Sequence, residues 1–303
     1  MLIYWRRKRL RRRLATIGRY RLGQDKPEKE TVPMPNPAFS VPAEPVPADV
    51  IALSEGAANV LSGQWPNRQI EAVTRLELHG YYTKAARARA LVYAGGGYHR
   101  LMHDKEGVEV ALWLNSLGID AYIMAHRLPG QGNHDKDMAL KDGLTCLDYL
   151  AQFKDLPLLH VGLSSGGHLA GVMACQDHAL KAAGALIAYA PINANHKDYK
   201  FPAGKPDYPP VEKQAFYNDW PIGIATEPHG VPDCPVFLAY GLYDEIVPVD
   251  HALNMIKAGQ VLKRDVEAHI FDQAPHGFAL RETIGTHAYW PELAARWFDR
   301  VLA

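Results

Sequence analysis

Between Leu158 and Ala170 an apolar run that reads as a buried strand stops at Gly162, and an apolar stripe at helical spacing begins with Leu169, Val172 and Met173. Between them stands Gly162-Leu163-Ser164-Ser165-Gly166. A strand that turns at once into a helix holds the central residue in a strained backbone conformation, so the flanking positions must be nearly free of side chain. Gly162 and Gly166 meet that need and leave the Ser164 hydroxyl exposed at the tip. The N–H groups and positive dipole end of the helix start then face any negative charge forming beside it. Ser164 is a candidate nucleophile, set against the ordinary reading of a turn built from small residues.

The surrounding chain repeats the same alternation. Val73 to His79 and Ala88 to Tyr93 read as strands, and Tyr93 runs directly into Ala94-Gly95-Gly96-Gly97-Tyr98. Three consecutive glycines are entropically costly unless a backbone must come close to something. A helix with Val110, Trp113, Leu114 and Leu117 on one stripe follows, capped by Gly118. Then come a strand from Ile119 to Ala125, a helix carrying Leu140, Leu144 and Leu147, the elbow, and a short strand from Ala185 to Ala190. That order predicts an α/β fold: a mostly parallel sheet covered by helices on both faces. Further on, strands are expected over Val236–Tyr240 and Asp265–Phe271, and helices from Val249 to Gln260 and from Pro291 onward.

At 303 residues, one large domain with a tail accounts for the length. Residues 1–23 carry nine Lys/Arg and no acid, which leaves the remaining 280 residues with a net charge of −9. The basic start lacks the apolar core of a secretory signal. It reads as a disordered leader or as sequence upstream of a start at Met34, the alternative being an arm for anionic lipid or nucleic acid. Six prolines between Pro33 and Pro47 predict an extended linker. The expected division is therefore residues 1–49 as leader and linker and 50–303 as catalytic domain. Within the latter, an aromatic-rich and proline-rich insertion from about 193 to 234 is expected to act as a lid or substrate-facing segment.

Cys146, Cys175 and Cys234 form no C-x-x-C spacing, so neither a disulfide framework nor a zinc site is expected. No apolar run approaches the roughly 18 residues needed to span a bilayer. A cytoplasmic location is the expectation, and the oligomeric state is left open.

Two further residues fall at strand ends. Asp244 lies in the turn after Val236–Tyr240, and His276 follows the strand ending at Phe271. Alone, each has an ordinary reading, one as a turn aspartate and the other as a structural histidine. Jointly they give the chain order Ser, Asp, His, each just past a strand end, where open α/β sheets place their chemistry. In this arrangement His276 takes the Ser164 proton, and Asp244 orients the imidazole and stabilises its charged form. Glu245 is the competing acid. The N–H groups of Ser165, Gly96 and Gly97 are the expected oxyanion donors, one such donor being worth about 3 kcal/mol.

Ala94-Gly95-Gly96-Gly97-Tyr98, the segment from Glu106 to Ile119 and Gly162 to Ala170 resemble the α/β-hydrolase serine esterases of the acetylxylan-esterase-like kind. The resemblance runs from about residue 50 to the C-terminus and departs at Ala94, Ser165 and His126-Arg127. It implies a serine esterase that removes small acyl groups, often acetyl, from carbohydrate, without metal or organic cofactor. An amidase or peptidase on the same scaffold and a non-catalytic binding protein are the alternatives; a nucleic-acid or membrane-surface role for the basic arm is not expected.

Overall fold

The computed structural model describes residues 43–153, 156–193, 211–282 and 284–303. The basic leader, most of the proline-rich linker and the insertion aromatics Tyr199, Phe201 and Tyr208 lie outside the described residues.

Eight strands form one sheet: β1 (Asp49–Ala52), β2 (Glu77–Tyr81), β3 (Ala88–Tyr93), β4 (Ile119–Ala125), β5 (Leu158–Leu163), β6 (Ala182–Ala188), β7 (Val236–Gly241) and β8 (Val266–Phe271). Their spatial order is β1-β2-β4-β3-β5-β6-β7-β8. From β4 through β8 every neighbour is parallel, whereas β2 runs antiparallel to both β1 and β4. The sheet is thus mostly parallel with helices on both faces, the α/β-hydrolase fold.

Strand alternation divides the core between the two faces. Leu91 and Tyr93 of β3 pack with Leu169, Val172 and Met255 on one side. These contacts seat α2 (Met138–Leu150), α3 (Ser165–Ala174) and α5 (Asp250–Leu262). Ala90 and Val92 face the other way, against Val110, Trp113, Trp297 and Phe298, and so cover that face with α1 (Glu109–Ser116) and α6 (Trp290–Val301). The helix α4 (Val211–Asp219) buries Phe216 and Tyr217 against the ring of Tyr98, which both meet edge-on with centroids 5.4 Å apart.

Two elements depart from expectation. The strand expected over Val73–His79 is displaced to Glu77–Tyr81. Side chains satisfy the backbone ahead of it: Thr74 N–H donates to Asn59 Oδ1 at 2.8 Å and Leu76 N–H to Ser54 Oγ at 2.9 Å, so no ladder forms there. β1 has no clear signal in the sequence, because its four residues bury no continuous face. Elsewhere shifts are small. β6 starts three residues early and stops before Tyr189, whose φ of +37° ends the extended chain. Gly118 closes α1 as expected, at φ +75°.

Candidate active site

The elbow follows from the packing of β5 against α3. Ser164 adopts φ 53° and ψ −130°, a conformation costly for a residue with a side chain, and its N–H donates to Ala188 O at 2.9 Å. A Cβ at Gly162 would run into the backbone of Gly166, and one at Gly166 would lie 2.6 Å from the carbonyl carbon of Tyr93. Only glycine lets β5, α3 and the end of β3 converge so closely.

Ser164, Asp244 and His276 meet at the C-terminal edge of the sheet. Ser164 Oγ lies 3.2 Å from His276 Nε2, and His276 Nδ1 lies 2.8 Å from Asp244 Oδ2. The second carboxylate oxygen of Asp244 accepts the N–H groups of Ile246 and Val247 at 2.8 and 2.9 Å, which fixes the turn that carries it. The Asp244 side chain is 1% exposed and the imidazole 18% exposed, so the pair is shielded from solvent; Ser164 is buried too, at 7% exposure, rather than exposed at the tip of the elbow as expected. Glu245 makes no hydrogen bond to His276; it is exposed and lines a surface cavity with Tyr243, Ile246 and the segment from Asp272 to His276. A hydroxyl beside an imidazole that a carboxylate orients can hand over its proton and attack an electrophilic carbon.

The glycine loop lies beside Ser164. A Cβ at Gly95 would sit 2.7 Å from Ser164 Cβ, and Gly96 and Gly97 take φ values of +131° and +67°. The Ser165 N–H belongs to the first turn of α3, where helices leave their donors without an internal acceptor. Gly97 differs from expectation, since its N–H donates to Ser165 Oγ at 2.9 Å.

Sequence reasoning assigned no role to Glu106 or Tyr189. Glu106 is 4% exposed and sits on a wide, π-type helical turn (His103–Val108) that leads into α1. It accepts the Gly95 N–H on Oε2 at 3.0 Å and the Tyr189 hydroxyl on Oε1 at 3.3 Å. Burial pushes its carboxyl above the usual carboxylate range, opposed by the charges of His276 and Lys105 and by those two hydrogen bonds. Tyr189 in turn presents its ring at a steep angle to His276, with centroids 5.4 Å apart.

On α3 itself, His168 binds Tyr98 Oη through Nδ1 at 2.9 Å and the Trp220 carbonyl through Nε2 at 2.8 Å. Burial lowers its pKa to about 4, so it stays neutral and can donate only one ring proton into this chain. Among the described residues no three His, Cys, Asp or Glu side chains group as a metal site. No helix among them is long and apolar enough to cross a membrane.

The model of the prolyl oligopeptidase family matches residues 129–303, more than half of the chain and the part that holds Ser164, Asp244 and His276. The chain belongs to the prolyl oligopeptidase family. Among solved structures, this family member is similar to an acetyl ester-xyloside bifunctional hydrolase from Caldicellulosiruptor lactoaceticus, with 22% identity, 84% of this chain and 97% of that chain covered, and a TM-score of 0.60. A carboxylesterase from Lactobacillus plantarum gives 19% identity, coverage of 81% and 98%, and a TM-score of 0.61. A thermophilic esterase from Thermogutta terrifontis with bound propionate gives 18%, coverage of 75% and 90%, and 0.59. At these identities the likeness is one of fold. In sequence, 97 residues are 34% identical to a secreted triacylglycerol lipase from Malassezia furfur, covering 32% of this chain and 18% of the lipase. The match therefore spans under a fifth of that relative. The family match and the arrangement of strands and helices agree on the α/β-hydrolase fold.

Proposed function

We propose that the protein is a serine carboxylic-ester hydrolase that removes small acyl groups, acetyl foremost, from carbohydrate. The observation that carries this reading is the hydrogen-bonded series from Ser164 Oγ through His276 to Asp244. In acylation, Ser164 Oγ bonds to the ester carbonyl carbon as its proton passes to His276 Nε2, and the carbonyl electron pair moves onto oxygen. The N–H groups of Ser165 and Gly96 receive that oxyanion, and Gly97 joins them once its N–H exchanges the Ser165 hydroxyl for the stronger anionic acceptor. Collapse breaks the bond to the alcohol oxygen, which takes the proton from Nε2. Water then repeats the sequence on the acyl-enzyme and releases the acid. Asp244 keeps its proton inventory unchanged and holds the imidazole in register.

The small acyl group and the sugar are supported by the resemblance of the glycine loop and elbow segments to acetylxylan-type esterases and by a fold neighbour described as an acetyl ester-xyloside hydrolase. Residues 50–303 form the catalytic domain in this reading. A second reading, cleavage of a peptide or amide bond by the same three residues, is favoured by the match to the prolyl oligopeptidase model.

The deciding experiment compares wild type with Ser164→Ala on p-nitrophenyl acetate, butyrate and octanoate, on peptidyl p-nitroanilides, and for acetate release from acetylated xylo-oligosaccharides. Short-ester turnover and sugar-bound acetate release that vanish in a folded Ser164→Ala protein support the esterase. Anilide cleavage exceeding ester cleavage moves the assignment to the peptidase, and failure of a fluorophosphonate probe to label Ser164 overturns both.

A further inference from the structure

We infer that Glu106 is a positioning residue that ties the oxyanion loop to the general base and uses its negative charge to hold the imidazolium formed on His276 during acyl transfer. This rests on the esterase reading above.

The carboxylate touches neither Ser164 nor His276, yet it is one contact from each. Its Oε2 accepts the N–H of Gly95, the residue immediately before the two glycines of the expected oxyanion hole and packed against Ser164 Cβ. Its Oε1 accepts the hydroxyl of Tyr189, whose ring stands against the imidazole. A Cβ on Gly277, the neighbour of the base, would come within 3.9 Å of that same Oε1. Two carboxylates therefore act on the imidazole: Asp244, bonded at Nδ1, and Glu106, which interacts with it electrostatically without a hydrogen bond.

A carboxylate this deep is expensive to keep charged unless a cation faces it. Lys105 comes from its own helical turn, with Nζ 3.4 Å from where a Gly277 Cβ would be, and is only partly buried. His276 comes from the loop after β8 and Tyr189 from the end of β6; Asp244, on the loop after β7, lies beyond the imidazole. A carboxylate and a positively charged imidazole attract each other, so the two charges interact whenever the imidazole carries a second proton. That positive charge exists when Ser164 Oγ has bonded to the acyl carbon and its proton sits on Nε2, and it disappears when the proton leaves with the alcohol oxygen. A fixed negative charge at this place thus acts most strongly between those two events, while the two hydrogen bonds hold Gly95 and Tyr189 still.

The test is the pH profile of kcat/KM for wild type, Glu106→Gln and Tyr189→Phe on p-nitrophenyl acetate, with thermal unfolding recorded for each. Glu106→Gln preserves size and an acceptor for Gly95 but removes the charge. It is expected to lower kcat about tenfold with KM changed less than about threefold, and to move the acidic limb of kcat/KM to lower pH by roughly one unit. Tyr189→Phe keeps the charge, so its acidic limb stays near that of wild type while kcat falls a few-fold. If Glu106→Gln does not fold, Glu106→Asp, which retains the charge but withdraws it, is expected to shift the limb in the same direction by a smaller amount.

An unmoved acidic limb in the folded Gln or Asp variant, or an equal movement in Tyr189→Phe, overturns the electrostatic role. Absence of Ser164-dependent turnover in the wild type would be a separate failure: it removes the esterase reading and this inference with it.

Discussion

The amide of Gly97 donates to the side-chain oxygen of Ser165 at 2.9 Å, so one expected oxyanion donor is already engaged by a neutral hydroxyl. In the proposed reaction an anionic oxygen, the stronger acceptor, displaces it, and the hydroxyl holds the loop in place between turnovers. Ser165→Ala is therefore expected to cost about 1 kcal/mol of stability and to change kcat/KM by less than about threefold. A loss of thirtyfold or more would mean that the hydroxyl itself acts on the substrate.

Asp244→Asn replaces the charged partner of His276 Nδ1 with an amide that can present N–H there and favour the wrong tautomer. Turnover should fall by about three to four orders of magnitude. Since Asn keeps an oxygen for the Ile246 and Val247 amides, the unfolding midpoint in denaturant should move little. Large loss of stability instead would show that the carboxylate serves mainly to build the turn.

Arg127 answers to Asp142, whose carboxylate is fully buried and accepts the Arg127 N–H at 2.7 Å as well as the guanidinium at 2.5 Å. Arg127→Ala leaves that carboxylate without its cation, and a loss of about 3 kcal/mol in unfolding free energy is expected. Asp142→Asn in the same background should recover part of it. No recovery would place the loss elsewhere.

Burial lowers the pKa of His103, His160 and His251 to about 3 and that of His168 to about 4. The unfolded chain takes up these protons near pH 6.5, the folded chain only near pH 3 to 4, so the stability is whole above about 6.5 and falls as pH drops through that window. Each histidine contributes up to about 1.4 kcal/mol per pH unit there. Unfolding free energies measured between pH 7.5 and 5 should decline before carboxylates titrate, and His160→Gln should flatten the slope by about one proton. An unchanged slope would show that His160 is already protonated in the fold.

The elbow was legible because its strand, its glycines and its helix are contiguous, and the positions of Asp244 and His276 were legible because each follows an apolar run. Glu106 was not, since its partner Tyr189 lies 83 residues away and nothing in a helical stripe says that one acid will be buried. Gly97 shows a related limit. Spacing puts its N–H near Ser164, but only packing decides that the Ser165 hydroxyl reaches it first. β1 escaped notice because four largely exposed residues carry no alternation. The displaced start of β2 depended on Asn59 and Ser54 capturing backbone amides, a choice made in space rather than along the chain.

The φ of +53° at Ser164 sets the proposed reactivity against heat resistance at a single codon. Glycine is the residue that this backbone prefers, so Ser164→Gly relieves strain of the order of 1 kcal/mol while deleting the hydroxyl. A library selected only for surviving high temperature would be enriched in variants that have discarded the proposed nucleophile.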